Sequence, residues 1–251
     1  MWNGDYGFLL HNLIAKDFKV RYRNMSLGMF WSLLNPLVTM GVLTVVFTTF
    51  MPNPSIPHYP LFFLCGLIPY NFFALAWSTG TSSLSDNAHL IKRVAVPREI
   101  IPIATVLGNS LHLLIQVALL LAFALFEGHV NRYWAWLPVI WALEVVLLCG
   151  LSLISSAVNV YVRDTRYLVE SFNAVLFWLV PIVYPFPPPK YQPIFELNPV
   201  AALVFALRKI LLEGQQPAAS LLIRLSLGSI TVLVLGLVLF RRMKQGFYDY
   251  L

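Results

Sequence analysis

The chain has 251 residues, of which 59% are hydrophobic and 11% charged, with a formal net charge of +6. Soluble domains carry roughly 25% charged residues, so a water-soluble globule of this size cannot hide so much apolar surface. The apolar residues fall in continuous runs and not in alternation, which excludes a transmembrane barrel and leaves an all-α integral membrane protein.

The first apolar patch, Phe8 to Ile14, is broken by His11 and Asn12 and followed by charges in place of a small-residue cleavage site. The N-terminus is therefore expected to stay on the mature protein. On a helical wheel Tyr6, Leu9, Leu10, Leu13, Ile14, Phe18 and Val20 share one half, and Asn12, Lys16, Lys19 and Arg23 the other. Residues 1–30 thus read as a cytoplasmic amphipathic helix lying in the membrane interface. Asp17 and Arg21 sit on its apolar side, four residues apart with the acid first. They are either a neutralised pair on a surface helix or a sign that this face packs on protein, where a second subunit could use the charges. The basic stretch from Lys19 to Trp31 runs into an apolar span at Asn35-Pro36 with almost no linker, so events at the surface are tied mechanically to that span.

Residues 31–251 read as a single transmembrane domain. Runs long enough for a bilayer core of about 30 Å lie near 31–51, 61–83, 102–126, 135–162, 169–186 and 219–240, giving about six helical spans. The fifth is interrupted by Pro181, Pro185 and Pro187-Pro188-Pro189. Cys65 and Cys149 both fall inside spans and suit apolar packing better than a disulfide.

Twelve of the seventeen lysines and arginines fall in one set of segments: Lys16, Lys19, Arg21, Arg23, Lys92, Arg93, Arg98, Arg163, Arg166, Arg241, Arg242 and Lys244. The other set holds Arg132, Lys190, Arg208, Lys209 and Arg224. The bias places both termini in the cytoplasm and reads as topology, not as nucleic-acid binding.

Between the second and third spans lies a cytoplasmic connector, 85–101, too charged to enter the bilayer. Pro97 and Pro102 stiffen it, and Leu90, Ile91, Val94 and Val96 give it an apolar face. It is either a docking element or an ordinary loop whose charges hold topology. Deep in the third and fourth spans lie His112 and Glu144, each about ten residues, or roughly 15 Å, from its membrane surface. As an intramembrane polar pair they could form a structural bridge, line a conduit or couple protons.

Seven of the seventeen prolines lie between Pro181 and Pro199. Asn198 suits an N-cap and Pro199 a first helical position, opening an apolar stretch from Val200 to Leu207 that is too short to cross. The outer region 187–214 is therefore either a set of re-entrant short helices or an extracellular loop with an interfacial helix.

Three stretches carry a family resemblance. Arg21-Tyr22-Arg23, Leu27-Gly28, Trp31 and Pro36, then Leu90 to Pro102, then Arg163-Asp164, resemble the membrane subunits of ABC-2 type exporters that move polysaccharides and polyol phosphates out of bacteria. The likeness covers nearly the whole chain. Where the family often has an aromatic residue near the Pro97-Arg98-Glu99 triplet, this chain has Ala95 and Val96.

The resemblance implies a multi-pass protein of the bacterial cytoplasmic (inner) membrane, not itself an enzyme. It implies a homodimer of this subunit with two copies of an ABC ATPase, and re-entrant segments, with Asn198 and Pro199, at an outer gate. The connector residues Leu90, Ile91, Lys92, Arg93, Pro97, Arg98 and Glu99 would seat in the ATPase. No glycine opens a phosphate-cradling P-loop pattern, so this chain should hold no cofactor, and ATP and Mg should belong to the partner.

A lipid-linked polysaccharide, such as O-antigen, capsule or teichoic acid, carries phosphate near its lipid. The entrance would need cations at headgroup depth, and Arg21, Arg23 and Arg163 with Trp31 are the candidates. Phe30, Phe177, Trp178 and Tyr184 could line a conduit for sugars, with Phe177 and Tyr184 seven apart on one helical face. The ordinary aromatic belt explains any single ring equally. Two rival classes are a membrane enzyme acting on polyprenyl-linked sugars, for which the scattered cytoplasmic acids form no paired cluster, and an ion-driven carrier, which would show more buried polar residues.

Overall fold

The computed structural model describes residues 5–23, 28–52, 56, 58–93, 96–185, 190 and 195–250, without the side chains of residues 21, 22, 29, 248 and 249. All regular structure among these residues is helical. Helix α1 runs Tyr6–Tyr22, α2 Trp31–Val45 with a π-helical extension Val46–Phe50, α3 Tyr59–Asp86, and α4 Ala88–Arg93. Helix α5 follows at Ile100–Phe126, then α6 at Leu137–Tyr161 and α7 at Thr165–Leu179. The chain closes with α8 (Pro199–Leu211), α9 (Ala219–Met243) and the single turn α10 (Phe247–Tyr250).

Among the described residues five helical stretches are long and apolar enough to cross a membrane: Trp31–Phe50, Tyr59–Arg93, Ile100–Phe126, Arg132–Tyr161 and Ala219–Gly246. The sixth expected span, 169–186, is not a continuous helix. Helix α7 has 15 residues and stops at Leu179, short of the roughly 20 a crossing needs. The cause is local. Val180 precedes Pro181 and adopts the extended conformation (φ −86°, ψ 133°) that a residue before proline favours.

Helix α3 is the centre of the molecule, packed on α2, α5, α6, α7 and α8. Its N-terminal two-thirds bury Leu61, Phe63, Leu64, Ile68 and Phe72 against Ile140 and Leu147 of α6 and Leu203 and Leu207 of α8. A second core at the opposite end joins Leu13 of α1, Leu84, Ile91, Ile101, Leu153, Phe240 and Phe247.

With apolar lipid as the competitor, close backbone approach and interhelical hydrogen bonds contribute what water expulsion would give a soluble core. Gly150 of α6 and Gly236 of α9 meet so closely that a Cβ on Gly236 would lie 2.6 Å from the Gly150 carbonyl oxygen. Thr81 and Ser155 hydroxyls pair at 2.7 Å across α3 and α6, and Asn109 Nδ2 of α5 donates to Thr79 Oγ1 at 2.8 Å. Asn173 Nδ2 of α7 donates to Ser78 Oγ at 3.1 Å, while the Tyr70 hydroxyl donates to the Asn173 carbonyl. Cys65 and Cys149 are free and buried.

Candidate functional site

One end of the molecule is built by α1, the connector and the C-terminal segment. Asp5 opens α1 by accepting from the Phe8 amide at 3.0 Å, the N-cap role of a short acidic side chain. Leu13 is buried, with Leu9, Leu10 and Ile14 beside it, so the apolar half of α1 rests on protein and not on lipid alone. Asp17 accepts from Thr105 Oγ1 of α5 at 3.4 Å. The face carrying Asp17 therefore packs on the same chain's α5. The side chain of Arg21, its expected partner, lies outside the described residues, as do Leu27, Val94 and Ala95. Lys16 Nζ donates to Asn87 Oδ1 at 2.5 Å, fastening α1 to the end of α3.

The connector presents its residues in two groups. Lys92 and Arg93 are exposed at the end of α4, while Ile91 is buried beneath them and Leu90 is half-buried. Arg98 and Glu99 turn the other way, onto the C-terminal segment. Arg98 Nη1 donates to the Lys244 carbonyl at 2.6 Å with its guanidinium 5.8 Å from the Phe247 ring centre, and Glu99 Oε1 lies 3.5 Å from Lys244 Nζ. Pro97 lines the cleft between them with Tyr6 and Gln245. The basic tail is thus folded back: Tyr161 donates to the Met243 carbonyl at 2.6 Å and Phe247 is fully buried.

The other expected cationic residues spread along this face. Arg23 is exposed just past α1, and Phe30 and Trp31 are exposed where α2 begins. Arg163 is exposed in the α6–α7 turn, in a separate cleft lined by Ser82, Asp86, Asn159, Arg166 and Tyr167. Arg166 pairs with Glu170 at 3.0 Å, which raises its guanidinium pKa further. A cavity of about 390 Å³ lies between α1, α3 and α5, lined by Lys16, Phe18, Val20, Thr79, Asp86 and Asn109 among others.

Inside the bundle the expected pair is not formed. His112 Nδ1 lies 2.9 Å from Ser32 Oγ of α2, and its Nε2 lies 3.3 Å from Gln116 Nε2. Glu144 is fully buried with neither carboxyl oxygen hydrogen-bonded among the described residues. The two were matched by depth alone, but depth does not fix which way a side chain faces. His112 faces α2 for a specific reason. Pro36 lacks the amide that would bond the Ser32 carbonyl one turn back, and Gln116 Nε2 donates to that carbonyl at 3.2 Å instead.

The aromatic residues expected on one face also divide. Phe177 packs edge-on to Tyr70 with ring centres 5.3 Å apart, and Trp178 is exposed. Tyr184 lies beyond the helix, where the chain doubles back and its hydroxyl donates to the Trp178 carbonyl at 2.8 Å. Phe177 and Tyr184 therefore share no helical face.

At the end opposite the connector, Asn198 Oδ1 caps α8 by accepting from the Val200 amide at 3.0 Å, with Pro199 at the first helical position. Helix α8 has 13 residues, about 20 Å of length, and is buried against α3 along most of one side. Pro187 to Pro189 and Pro193 lie outside the described residues.

Sequence reasoning missed the residue that locks this end. The apolar stretch from Val200 to Leu207 stops short of Arg208, yet α8 continues to Leu211 and buries it. Its Nη1 donates to the Pro181 carbonyl at 2.6 Å and its Nη2 to the Ile182 carbonyl at 2.9 Å. Its guanidinium lies 3.4 Å from the Phe62 ring centre. The signal was available: an arginine deep in an apolar stretch needs carbonyls, and the prolines upstream leave carbonyls without helical partners.

Comparison with known proteins places this architecture. The model of the ABC-2 type transporter family matches residues 9–212. The chain belongs to that family. It is 31% identical over 252 aligned residues, 98% of this chain and 96% of the relative, to the O-antigen export system permease protein RfbA of Klebsiella pneumoniae. It is 28% identical to the protein of the same name from Myxococcus xanthus, covering 97% of this chain and 95% of the relative. The polysialic acid transport protein KpsM of Escherichia coli is 25% identical over 93% of each chain. In this ABC-2 family chain the elements described above are thus parts of a membrane transport subunit.

Proposed function

We propose that the chain is the channel-forming membrane subunit of an ATP-driven exporter that carries a lipid-linked polysaccharide across the bacterial cytoplasmic membrane. The observation that carries this reading is full-length similarity to permeases named for O-antigen export and polysialic acid transport, without a large unmatched segment on either side. A polymer is moved and not transformed, so what the subunit must supply is a conduit and a grip on a motor.

Two unpartnered stripes support a homodimer. On α2, Trp31, Leu34, Val38, Val42 and Val45 are exposed at helical spacing; on α7, Leu168, Phe172, Val175 and Leu179 are. A wide passage would lie between copies, enclosed by such stripes. ATP and Mg would act in a separate ABC ATPase, since the sequence has no P-loop pattern. Lys92 and Arg93 at the tip of α4 are the residues this reading assigns to that contact. Arg23, Trp31 and Arg163 remain the entrance candidates, with both termini cytoplasmic.

The test is reconstitution. Co-expressed with an ABC ATPase from the same organism and purified in lipid nanodiscs, the chain should give an equimolar two-plus-two complex whose ATP hydrolysis rises with a lipid-linked glycan. A chain that purifies without ATPase, or a complex whose hydrolysis ignores every lipid-linked glycan offered, overturns the proposal.

A further inference from the structure

At the end of the molecule opposite the connector, three side chains from two separate turns converge. His58 immediately precedes α3, Glu127 caps the end of α5, and His129 follows in the turn to α6. His58 Nδ1 lies 3.1 Å from Glu127 Oε2 and His129 Nε2 lies 3.8 Å from the same oxygen. All three ligand-type atoms fall within 4.8 Å of one another.

The contacts are not an ordinary hydrogen-bonded cluster. Glu127 Oε2 and His129 Nε2 are both shielded from solvent, and neither makes a hydrogen bond among the described residues despite the short approach. Buried polar atoms left this way call for an explanation, of which an ion is one. Zinc bonds of 2.0–2.2 Å to nitrogen and oxygen set neighbouring ligands about 3.3 Å apart in a tetrahedron. The observed 3.1 and 3.8 Å bracket that spacing.

The scaffold presents the three side chains deliberately. His58 holds φ at 54°, the one non-glycine residue with positive φ among those described, a conformation that persists only where its surroundings enforce it. Gly128, at φ 76°, makes the turn that puts Glu127 and His129 on one side. The His129 carbonyl is held by Asn131 Nδ2 and Trp134 Nε1, both at 3.2 Å. Asn131 also donates to the Ile210 carbonyl of α8 at 2.8 Å.

We infer that His58, Glu127 and His129 form a binding site for a divalent transition-metal ion, with zinc the ion that best fits two imidazoles and one carboxylate. A fourth position is open on the side of half-exposed His58. The ion would clamp the start of α3 to the α5–α6 turn and, through Asn131, stiffen the seat of α8.

The full-length chain, purified with a histidine-free tag and stripped with EDTA, is titrated with zinc chloride by calorimetry and with cobalt chloride by visible absorption. The expected result is one saturable site per chain, inner-sphere cobalt bands, and a higher melting temperature with zinc. His58→Ala, Glu127→Gln and His129→Ala should each weaken binding at least about tenfold. The double variant His11→Asn/His89→Asn should bind as the parent does. No saturable binding by the parent overturns the inference without any variant, as does binding that survives loss of His58 and His129 or that equal magnesium abolishes.

Discussion

Gln116 reaches from α5 to the Ser32 carbonyl of α2, which Pro36 leaves without its helical donor. Helix α2 is otherwise barely buried, so this bond and the neighbouring Ser32–His112 contact fix its register on α5. Gln116→Leu should cost about 1–3 kcal/mol of stability by stranding a buried carbonyl. Pro36→Ala supplies the missing amide, so the double variant should lose less than Gln116→Leu alone. Chemical denaturation in mixed micelles of the four species reads the coupling, and strict additivity would refute it.

Arg208 should prove the most sensitive cation in the chain. Arg208→Met strands the carbonyls of Pro181 and Ile182 and should cost about 3 kcal/mol. Arg208→Lys should recover part of that, since an ammonium cannot serve both carbonyls in a fork. Gly66→Ala strikes the same place, because its Cβ would stand 3.1 Å from Ile182 Cα and 3.2 Å from Arg208 Nη2. Melting temperatures in detergent check all three, and a parent-like Arg208→Met sinks the assignment.

The crossing of α6 and α9 tolerates no side chain. Gly150→Ala places a Cβ 2.6 Å from the Leu233 nitrogen, and Gly236→Ala does the same to the Gly150 oxygen. Each should cost on the order of 1–3 kcal/mol as the backbones separate. Gly228→Ala meets nothing within 4 Å and should be neutral or gain up to about 1 kcal/mol from helix propensity. Unfolding midpoints of the three variants decide the matter.

Within the connector, stability and coupling should separate. Arg98→Ala removes the tie to the Lys244 carbonyl and should lower the melting temperature of the isolated chain. Lys92→Glu/Arg93→Glu changes only exposed charge, so the melting point should hold while recovery of the ATPase partner falls at least about tenfold. If the double charge reversal co-purifies normally, the tip of α4 is not the contact.

Much of this was legible in the chain. Composition and run length identify the helices because lipid imposes a simple rule on them, and the Asn198-Pro199 signature marks the start of α8 through local backbone chemistry. What escaped depends on direction in three dimensions. The depths of His112 and Glu144 could be counted, yet their facing could not. Arg98 and Glu99 could be placed in a connector, but a tail 145 residues away in sequence takes them up. The end of α7 at Val180 was readable from Pro181, and the apolar run beyond it disguised the break.

Helix α3, Tyr59–Asp86, counts 28 residues, about 42 Å of rod against a bilayer core of about 30 Å. One end leads through Asn87 to Lys92 and Arg93 of α4; the other follows His58 and holds the Phe62 carbonyl that Arg208 also reaches. Hydroxyl and amide bonds along its middle leave little slack. A rod tied along its length in this way would carry a tilt imposed at its Asp86 end, opposite in sense, to its Tyr59 end.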